Sequence, residues 1–219
     1  MRLLVAFTAA VALATAGPCE EPGRAAEEPF VAGELIVGFA PGSPIGRALA
    51  GSSGKLEGNA ALAEGLAALS REVGVPLAAR QLTSGGELLL ALDRDSLVEE
   101  CLGRLRGNPN VERAERLAQP VTILPSPREE LRVGLRPGSE AARLAAAARQ
   151  GGEQPPALES LASLLLPAHP AHPTARLAGE TEIVLTLDLE ALTLDLAARL
   201  EKRPDVRSVE LNRLAEAFG

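Results

Sequence analysis

Residues with the types needed for catalysis or metal binding are few in this chain of 219 residues. Its two histidines, His169 and His172, stand three residues apart in a proline-rich stretch without a nearby cysteine or acidic cluster. Zinc sites use three or four such ligands, so the pair is better explained as part of a loop than as a metal site. A loop histidine without a partner motif is also a poor candidate for a Ser-His-Asp triad. We therefore expect no enzymatic activity, no metal and no cofactor.

The composition limits the kinds of partner that the chain could bind. Its formal net charge is −7, and no cluster of Lys and Arg forms a basic stripe. Aromatic residues make up 2% of the chain, which leaves almost nothing on which bases could stack. These features argue against nucleic-acid binding. The hydrophobic share is 46%, and because so little of it is aromatic, the core must be built from Leu, Val, Ile and Ala.

The N-terminus has the features of a secretory signal peptide. Arg2 is followed by the apolar run LLVAFTAAVALATA, and Ala14-Thr15-Ala16 fits the small-x-small cleavage rule. We therefore assign residues 1–16 to a signal peptide and expect export, to the periplasm or the extracellular space. After this segment no apolar run is long enough to span a bilayer.

Each cysteine leaves two alternatives open. Cys19 follows the signal segment, where bacterial lipoproteins are acylated, but Pro18 takes the place of the Gly or Ala that usually precedes such a cysteine. The mature chain is thus either free at Gly17 or lipid-anchored at Cys19, with 17–32 as an acidic, proline-rich linker. Cys101 lies on an apolar helical face, which favours a buried free thiol, with a disulfide to Cys19 as the alternative.

The sequence contains an internal duplication, so the secondary-structure elements that would position a functional site occur twice. GELIVGFAPGS, beginning at Gly33, returns as EELRVGLRPGS, beginning at Glu129, with seven of eleven positions identical. Two further blocks recur in the same order at an offset of 95 residues: ELLLALDRDSL with EIVLTLDLEAL, and GRLRGNPNVERAE with ARLEKRPDVRSVE. A period of this length indicates two tandem domains and not a solenoid. We place repeat 1 at 33–119, a proline-rich linker at 120–128 and repeat 2 at 129–219.

Each repeat shows the element order β-α-β-β-α-β. In repeat 1, alternating apolar residues open a strand, and an apolar stripe at helical spacing predicts a helix that ends at Gly74. Ser84-Gly85-Gly86 predicts a hairpin, and Ser96 with Glu99 predicts a capping box at the start of a second helix. The stripe residues are Leu62, Leu66, Leu69 and Val73, and the second helix buries Val98, Cys101, Leu102 and Leu105.

The same order in repeat 2 predicts strands at 131–135, 174–177, 182–187 and 206–211, with helices near 157–166 and 189–201. We therefore expect an α+β protein of two tandem ferredoxin-like (β-α-β-β-α-β) domains. Each would be an antiparallel four-stranded sheet with two helices on one face. The residues expected to point into the two cores from the first strands are Leu35, Val37 and Phe39, and Leu131, Val133 and Leu135.

Repeat 1 resembles the propeptide domains of subtilisin-like serine proteases. The resemblance rests on ELIVGFAPG at its start and LRGNPNVERAE at its end, and repeat 2 follows it more weakly with LRVGLRPG and RPDVRSVE. The catalytic-domain motifs of those proteases, such as Asp-Ser-Gly, His-Gly-Thr-His and Gly-Thr-Ser, do not occur in these 219 residues. The resemblance thus implies a stand-alone inhibitor or folding partner of a subtilisin-like serine protease.

In that family the segment after the last strand enters the protease cleft in an extended form. The matching segment here, called the tail below, consists of Leu214, Ala215, Glu216, Ala217, Phe218 and Gly219. Phe218 is either an anchor in the cleft or a cover for the small core. Two other interpretations stay open: a structural or adaptor module of the bacterial envelope, and a truncated protease precursor.

Overall fold

The computed structural model describes residues 29–51, 56–118, 126–152 and 154–213, which form an α+β fold of eight strands and six helices. The strands are β1 (Phe30–Phe39), β2 (Leu77–Leu82), β3 (Leu88–Leu92), β4 (Val111–Arg116), β5 (Arg128–Leu135), β6 (Thr174–Leu177), β7 (Glu182–Asp188) and β8 (Val206–Arg213). The helices are α1 (Pro44–Ala50), α2 (Ala60–Val73), α3 (Arg94–Gly107), α4 (Glu140–Gln150), α5 (Pro155–Leu165) and α6 (Leu189–Glu201).

The strands form two four-stranded antiparallel sheets that each combine both repeats. Sheet A has the order β2-β3-β1-β8, and sheet B has the order β4-β5-β7-β6. The last strand of repeat 2 therefore completes the sheet of repeat 1, and the last strand of repeat 1 completes the sheet of repeat 2. The expectation of two tandem domains is wrong in this respect, because the folded units do not follow the repeats.

The last helix of each repeat packs on the same sheet as the exchanged strand. Helix α3 packs on β4 and β5 of sheet B, although it follows β3 of sheet A. Helix α6 packs mainly on β1 and β8 of sheet A, although it follows β7 of sheet B. Unit A is thus built from residues 29–93 and 189–213, and unit B from residues 94–188. Unit B is continuous in the chain, apart from the residues outside the description, and is inserted between β3 and α6 of unit A.

An aspartate marks each place where the chain crosses between the sheets. Asp93 caps α3 by accepting a hydrogen bond from the Ser96 backbone N–H at 3.2 Å, and Asp188 caps α6 in the same way through Ala191 at 3.0 Å. The capping box predicted at Ser96 and Glu99 is therefore wrong, because α3 begins two residues earlier. A capping aspartate at the end of a strand lets the strand turn into a helix without a loop.

The recurring Pro-Gly-Ser motif begins a helix that the sequence pattern did not reveal. The Ser43 hydroxyl accepts a hydrogen bond from the Gly46 N–H at 2.9 Å, and the Ser139 hydroxyl accepts one from the Ala142 N–H at 3.2 Å. These serines are the N-caps of α1 and α4, so the motif serves as both a strand end and a helix cap. Each repeat consequently has three helices where two were expected.

The inward faces of the first strands are as predicted. The three residues named for each repeat are buried, with exposures between 0 and 5%: Leu35, Val37 and Phe39, and Leu131, Val133 and Leu135. The stripe on α2 and the apolar face of α3 are buried as well. These side chains belong to one continuous apolar cluster that includes residues of both units. Alternation and helical spacing were sufficient to predict these faces, because burial repeats with the period of the element.

Two equivalent glycines lie where the exchanged strands are closest. A Cβ at Gly38 would collide with the Ser208 hydroxyl on β8, and a Cβ at Gly134 would lie 2.8 Å from the Arg113 side chain on β4. The strand register shifts at the same place in both sheets. The shared Val-Gly pair therefore makes room for the exchanged strand in each sheet.

Engineered disulfides should distinguish exchanged from self-contained repeats. In sheet A, Ile36 lies opposite Glu210 of repeat 2. If repeat 1 closed on itself, Ile36 would lie opposite Glu115, which is 95 residues before Glu210. With Cys19 and Cys101 replaced by serine, we expect the pair Ile36→Cys/Glu210→Cys to form an intramolecular disulfide on mild oxidation. Ile36→Cys/Glu115→Cys is the matched control and should stay reduced, as judged by mobility on a non-reducing gel. Oxidation of the control pair alone would contradict the exchange.

Candidate functional site

Several predicted functional residues lie outside the part of the chain that the structure describes. They are residues 1–16 of the signal peptide, Cys19, and the tail residues Leu214, Ala215, Glu216, Ala217, Phe218 and Gly219. The strand that leads into the tail is described as far as Arg213. The geometry around β8 therefore gives the location from which the tail starts.

Strand β8 is the outermost strand of sheet A. It pairs with β1 on one side, from Val206 opposite Phe39 to Arg213 opposite Phe30, and no described strand pairs with its other edge. An edge strand presents main-chain N–H and C=O groups to which an extended segment of another chain can add. The tail thus continues from a strand that has a free edge among the described residues.

The outer face of sheet A, opposite its helices, has an apolar centre. Ile36 on β1 lies opposite Leu89 on β3, and Ala91 lies two residues further along β3. Ile36 and Leu89 are half-buried, so part of each side chain remains accessible. Acidic residues border these three side chains: Glu34 on β1 and Glu210 on β8. We call Ile36, Leu89 and Ala91 the apolar centre of sheet A.

A shallow depression joins the apolar centre to β8. It has a volume of about 640 Å³ and is lined by Ile36 and by residues 209–213. On its rim, the Asn212 side-chain amide donates a hydrogen bond of 2.6 Å to the Glu34 carboxylate, which ties β8 to β1. The depression thus adjoins both the apolar centre and the strand that leads into the tail.

Sheet B has a different outer face, although its strands are equivalent. Arginines and glutamates pair across its strands: Arg113 with Glu182, Arg132 with Glu115 at 3.6 Å, and Arg176 with Glu130 at 3.5 Å. Val184, which lies opposite Arg132 on this face, is only 2% exposed. The position equivalent to Ile36 is Arg132. The outer face of sheet B is therefore covered by its own charged side chains, whereas the centre of sheet A is not.

A buried cysteine and histidine meet between the exchanged helix α3 and the loop after α5. The Cys101 sulfur lies 3.2 Å from His169 Nε2, and both residues are at most 4% exposed. His169 Nδ1 accepts a hydrogen bond from the Ala171 backbone N–H at 3.2 Å. The ring proton of the neutral histidine is therefore on Nε2, which donates to the sulfur. Sequence reasoning placed Cys101 on a buried face but did not connect it with His169, because the two are 68 residues apart.

Burial keeps both members of this pair neutral. It raises the pKa of the Cys101 thiol to about 12 and lowers the pKa of His169, because neither charged form is well solvated there. A reactive cysteine needs an accessible thiolate at working pH, and this site favours neither access nor ionisation. The contact is therefore a packing contact between the two repeats. The cysteine is a free thiol, in agreement with the first of the two alternatives.

An ion pair with a buried carboxylate joins β4 of repeat 1 to β5 of repeat 2. Glu129 is 2% exposed and accepts two hydrogen bonds, of 3.1 and 3.0 Å, from the Arg116 guanidinium. Arg116 also donates to Asp95 at 2.7 Å, and this bond, together with Glu129, raises the pKa of Arg116. Loss of Arg116, whose side chain is 38% exposed, would leave the buried Glu129 carboxylate without its counter-ion, so the pair favours this strand pairing over others. The sequence did not reveal it, because Glu129 is equivalent to Gly33 in repeat 1.

The described residues contain neither a cluster of metal ligands nor a membrane-spanning helix. No group of three or more His, Cys, Asp or Glu side chains is arranged there to hold a metal ion. None of the helices described is both long and apolar enough to cross a membrane. No protein-family model, curated protein or solved structure matches the chain.

The buried histidine should make stability depend on pH. Its pKa is lowered by folding, so below the ordinary value of about 6.5 the unfolded chain binds a proton that the folded chain does not. This contribution is fully present above about pH 6.5 and is lost as the pH falls below it. We expect the decrease in the free energy of unfolding between pH 7.5 and pH 5.5, measured by urea titration, to be smaller in His169→Gln than in the unmodified chain. His172→Gln, which changes an exposed side chain three residues away, is the matched control. An unchanged pH dependence in His169→Gln would contradict the assignment.

Proposed function

We propose that this chain is an exported, non-enzymatic protein that inhibits a subtilisin-like serine protease or assists its folding. Unit A and the tail after β8 would form the binding part. The observation that carries the proposal is that the apolar centre of sheet A, the free edge of β8 and the start of the tail all belong to one unit.

We propose further that each unit is ferredoxin-like. When the strands are numbered by their place within a repeat, both sheets have the order 2-3-1-4, with the fourth strand supplied by the other repeat. Helices α2 and α6 accompany sheet A, and α3 and α5 accompany sheet B. This arrangement is what the resemblance to subtilisin propeptides implies, once the exchange is taken into account.

The surfaces of unit A are suited to an enzyme partner in two ways. Apolar side chains at the centre of a face with a polar border match the usual anatomy of a protein interface. An extended segment that continues from an edge strand can bind through main-chain hydrogen bonds, while its side chains fill pockets. Leu214 and Phe218 are the large apolar side chains of the tail and would supply this second contribution.

The exchange of strands is what brings these features together. The apolar centre comes from repeat 1, whereas β8 and the tail come from repeat 2. If each repeat closed on itself, the tail would continue from the sheet that contains Arg132, Glu130 and Arg176, whose outer face is covered by ion pairs. We therefore expect one protease to bind per chain, at unit A.

Substitutions on the two outer faces test this proposal against a panel of subtilisin-like enzymes. Ile36→Arg gives sheet A the residue that sheet B has at the same position, and we expect it to weaken inhibition at least tenfold, or about 1.4 kcal/mol. Removal of the tail, Leu214–Gly219, should have an effect of at least the same size. Phe218→Ala should account for much of that loss, because buried aromatic anchors dominate interfaces.

Arg132→Ala is the matched control, since it removes a side chain at the equivalent position of sheet B. It should leave inhibition unchanged, and thermal melts should show that all variants remain folded. If Phe218→Ala lowered the melting temperature and left inhibition unchanged, Phe218 would be a cover for the core. Absence of inhibition by the intact chain at micromolar concentration would contradict the proposal and favour an adaptor of the bacterial envelope.

Export can be tested at the N-terminus of the mature protein. We propose cleavage after Ala16, because Ala14-Thr15-Ala16 fits the cleavage rule and Pro18 disfavours acylation of Cys19. Mass spectrometry of the protein from its native host should show a chain that begins at Gly17. A diacyl-modified Cys19 would indicate a lipid-anchored form that is still exported. A chain that retains Met1 would contradict both.

A further inference from the structure

We propose that each repeat is a complete binding partner for the other, so that the covalent connection between Ala118 and Ser126 is not needed to keep the protein folded. The surface concerned is the one that each repeat presents to the other within units A and B. Its partner is the other half of this chain, and the inference does not depend on protease binding.

The first argument is the distribution of strands. Sheet A needs β8, and sheet B needs β4, so each repeat supplies an outer strand that completes the sheet of the other. Strand β1 pairs with β8 over six register positions, and β4 pairs with β5 over five. Separation of the repeats would break both ladders and expose main-chain groups in both sheets.

The second argument is the set of polar contacts that join the repeats in unit A. The backbone N–H of Gly33 donates a buried hydrogen bond of 2.7 Å to the Thr193 hydroxyl on α6. Arg199 on α6 donates to the carbonyl of Val73 at 3.2 Å. The Arg203 guanidinium lies 2.6 Å from the carboxylate of Glu72. None of these contacts involves the connection between the repeats.

Unit B has its own set of such contacts. The Asn108 amide, just after α3, donates to the carbonyls of Leu164 and Leu165 at 3.1 and 3.2 Å. The Cys101–His169 contact and the Arg116–Glu129 ion pair also join the repeats in this unit. Helix α6 and strand β8 are therefore held on unit A by one group of contacts, and helix α3 and strand β4 are held on unit B by another. Separation of the repeats would have to break both groups, which makes it a cooperative event.

The third argument is the place of the connection. It joins β4 to β5, which are antiparallel neighbours in sheet B, with Arg116 opposite Leu131. The Leu117 N–H donates to the carbonyl of Glu130 at 2.9 Å, so the strands are still paired where the connection begins. A connection between neighbouring strands contributes by keeping them at a high local concentration, whereas the ladder between β4 and β5 is formed by residues on either side of the connection.

A specific cut in the full chain tests the inference. A recognition sequence for a site-specific protease is inserted after Ala118, and the protein is cleaved in its folded state. We expect both fragments to elute together at the volume of the uncut 22.7 kDa chain, with an unchanged circular dichroism spectrum. Separation should occur only in denaturant. The same chain before cleavage is the control.

Thermal unfolding provides a second readout. After the cut, unfolding also dissociates two chains, so its midpoint should fall by about 4 °C for each tenfold dilution, as expected from the unfolding enthalpy of a protein of this size. The uncut chain should show no such dependence. Fragments that elute separately with native spectra would overturn the inference, because each repeat would then close on itself. Loss of structure on cleavage would overturn it as well.

Discussion

The pairing of β1 with β8 is the interaction on which the rest of this structure depends. It joins the first and last described strands, and residues such as Val37 and Val209 lie opposite each other although the whole of unit B separates them in sequence. Once β8 lies beside β1, α6 must pack on sheet A, and unit B must complete its own sheet with β4. Sheet A cannot be complete until β8 is available, so a large loop must close before its last ladder forms, and such pairings form slowly.

The two copies have kept the interior and changed the surface. Leu35 and Leu131, or Val37 and Val133, are buried at equivalent places, but Ile36 has become Arg132 on the outer faces. The polar contacts in the first strand of each repeat differ as well. Gly33 donates to Thr193 in unit A, whereas the equivalent Glu129 binds Arg116 in unit B. A core position is constrained by packing from all sides, while an outer-face position is free to change. One unit could thus keep an accessible apolar centre while the other acquired a face of ion pairs.

Local sequence rules predicted the elements well where burial repeats with the element's own period. The stripe on α2, the αL glycine Gly74 after it and the hairpin around Gly86 are where the pattern placed them. The rules failed where two signals compete, as in the start of α3, where Asp93 provides the cap and Ser96 does not. They also missed the Cys101–His169 contact, since spacing along the chain says nothing about two groups that meet through tertiary packing.

The sequence by itself determined the duplication, the order of the elements and the inward face of each strand, because these depend on residues close together in the chain. Only the tertiary structure decided which fourth strand completes which sheet. Strands β4 and β8 come from matching blocks. Their inward residues present similar apolar surfaces: Val111 and Ala114 of β4 lie beside β5, and Val206 and Val209 of β8 lie beside β1. Either strand satisfies the alternation rule in either sheet. The choice rests on contacts between distant residues, such as Arg116 with Glu129 and Asn212 with Glu34, which no pattern along the chain reveals.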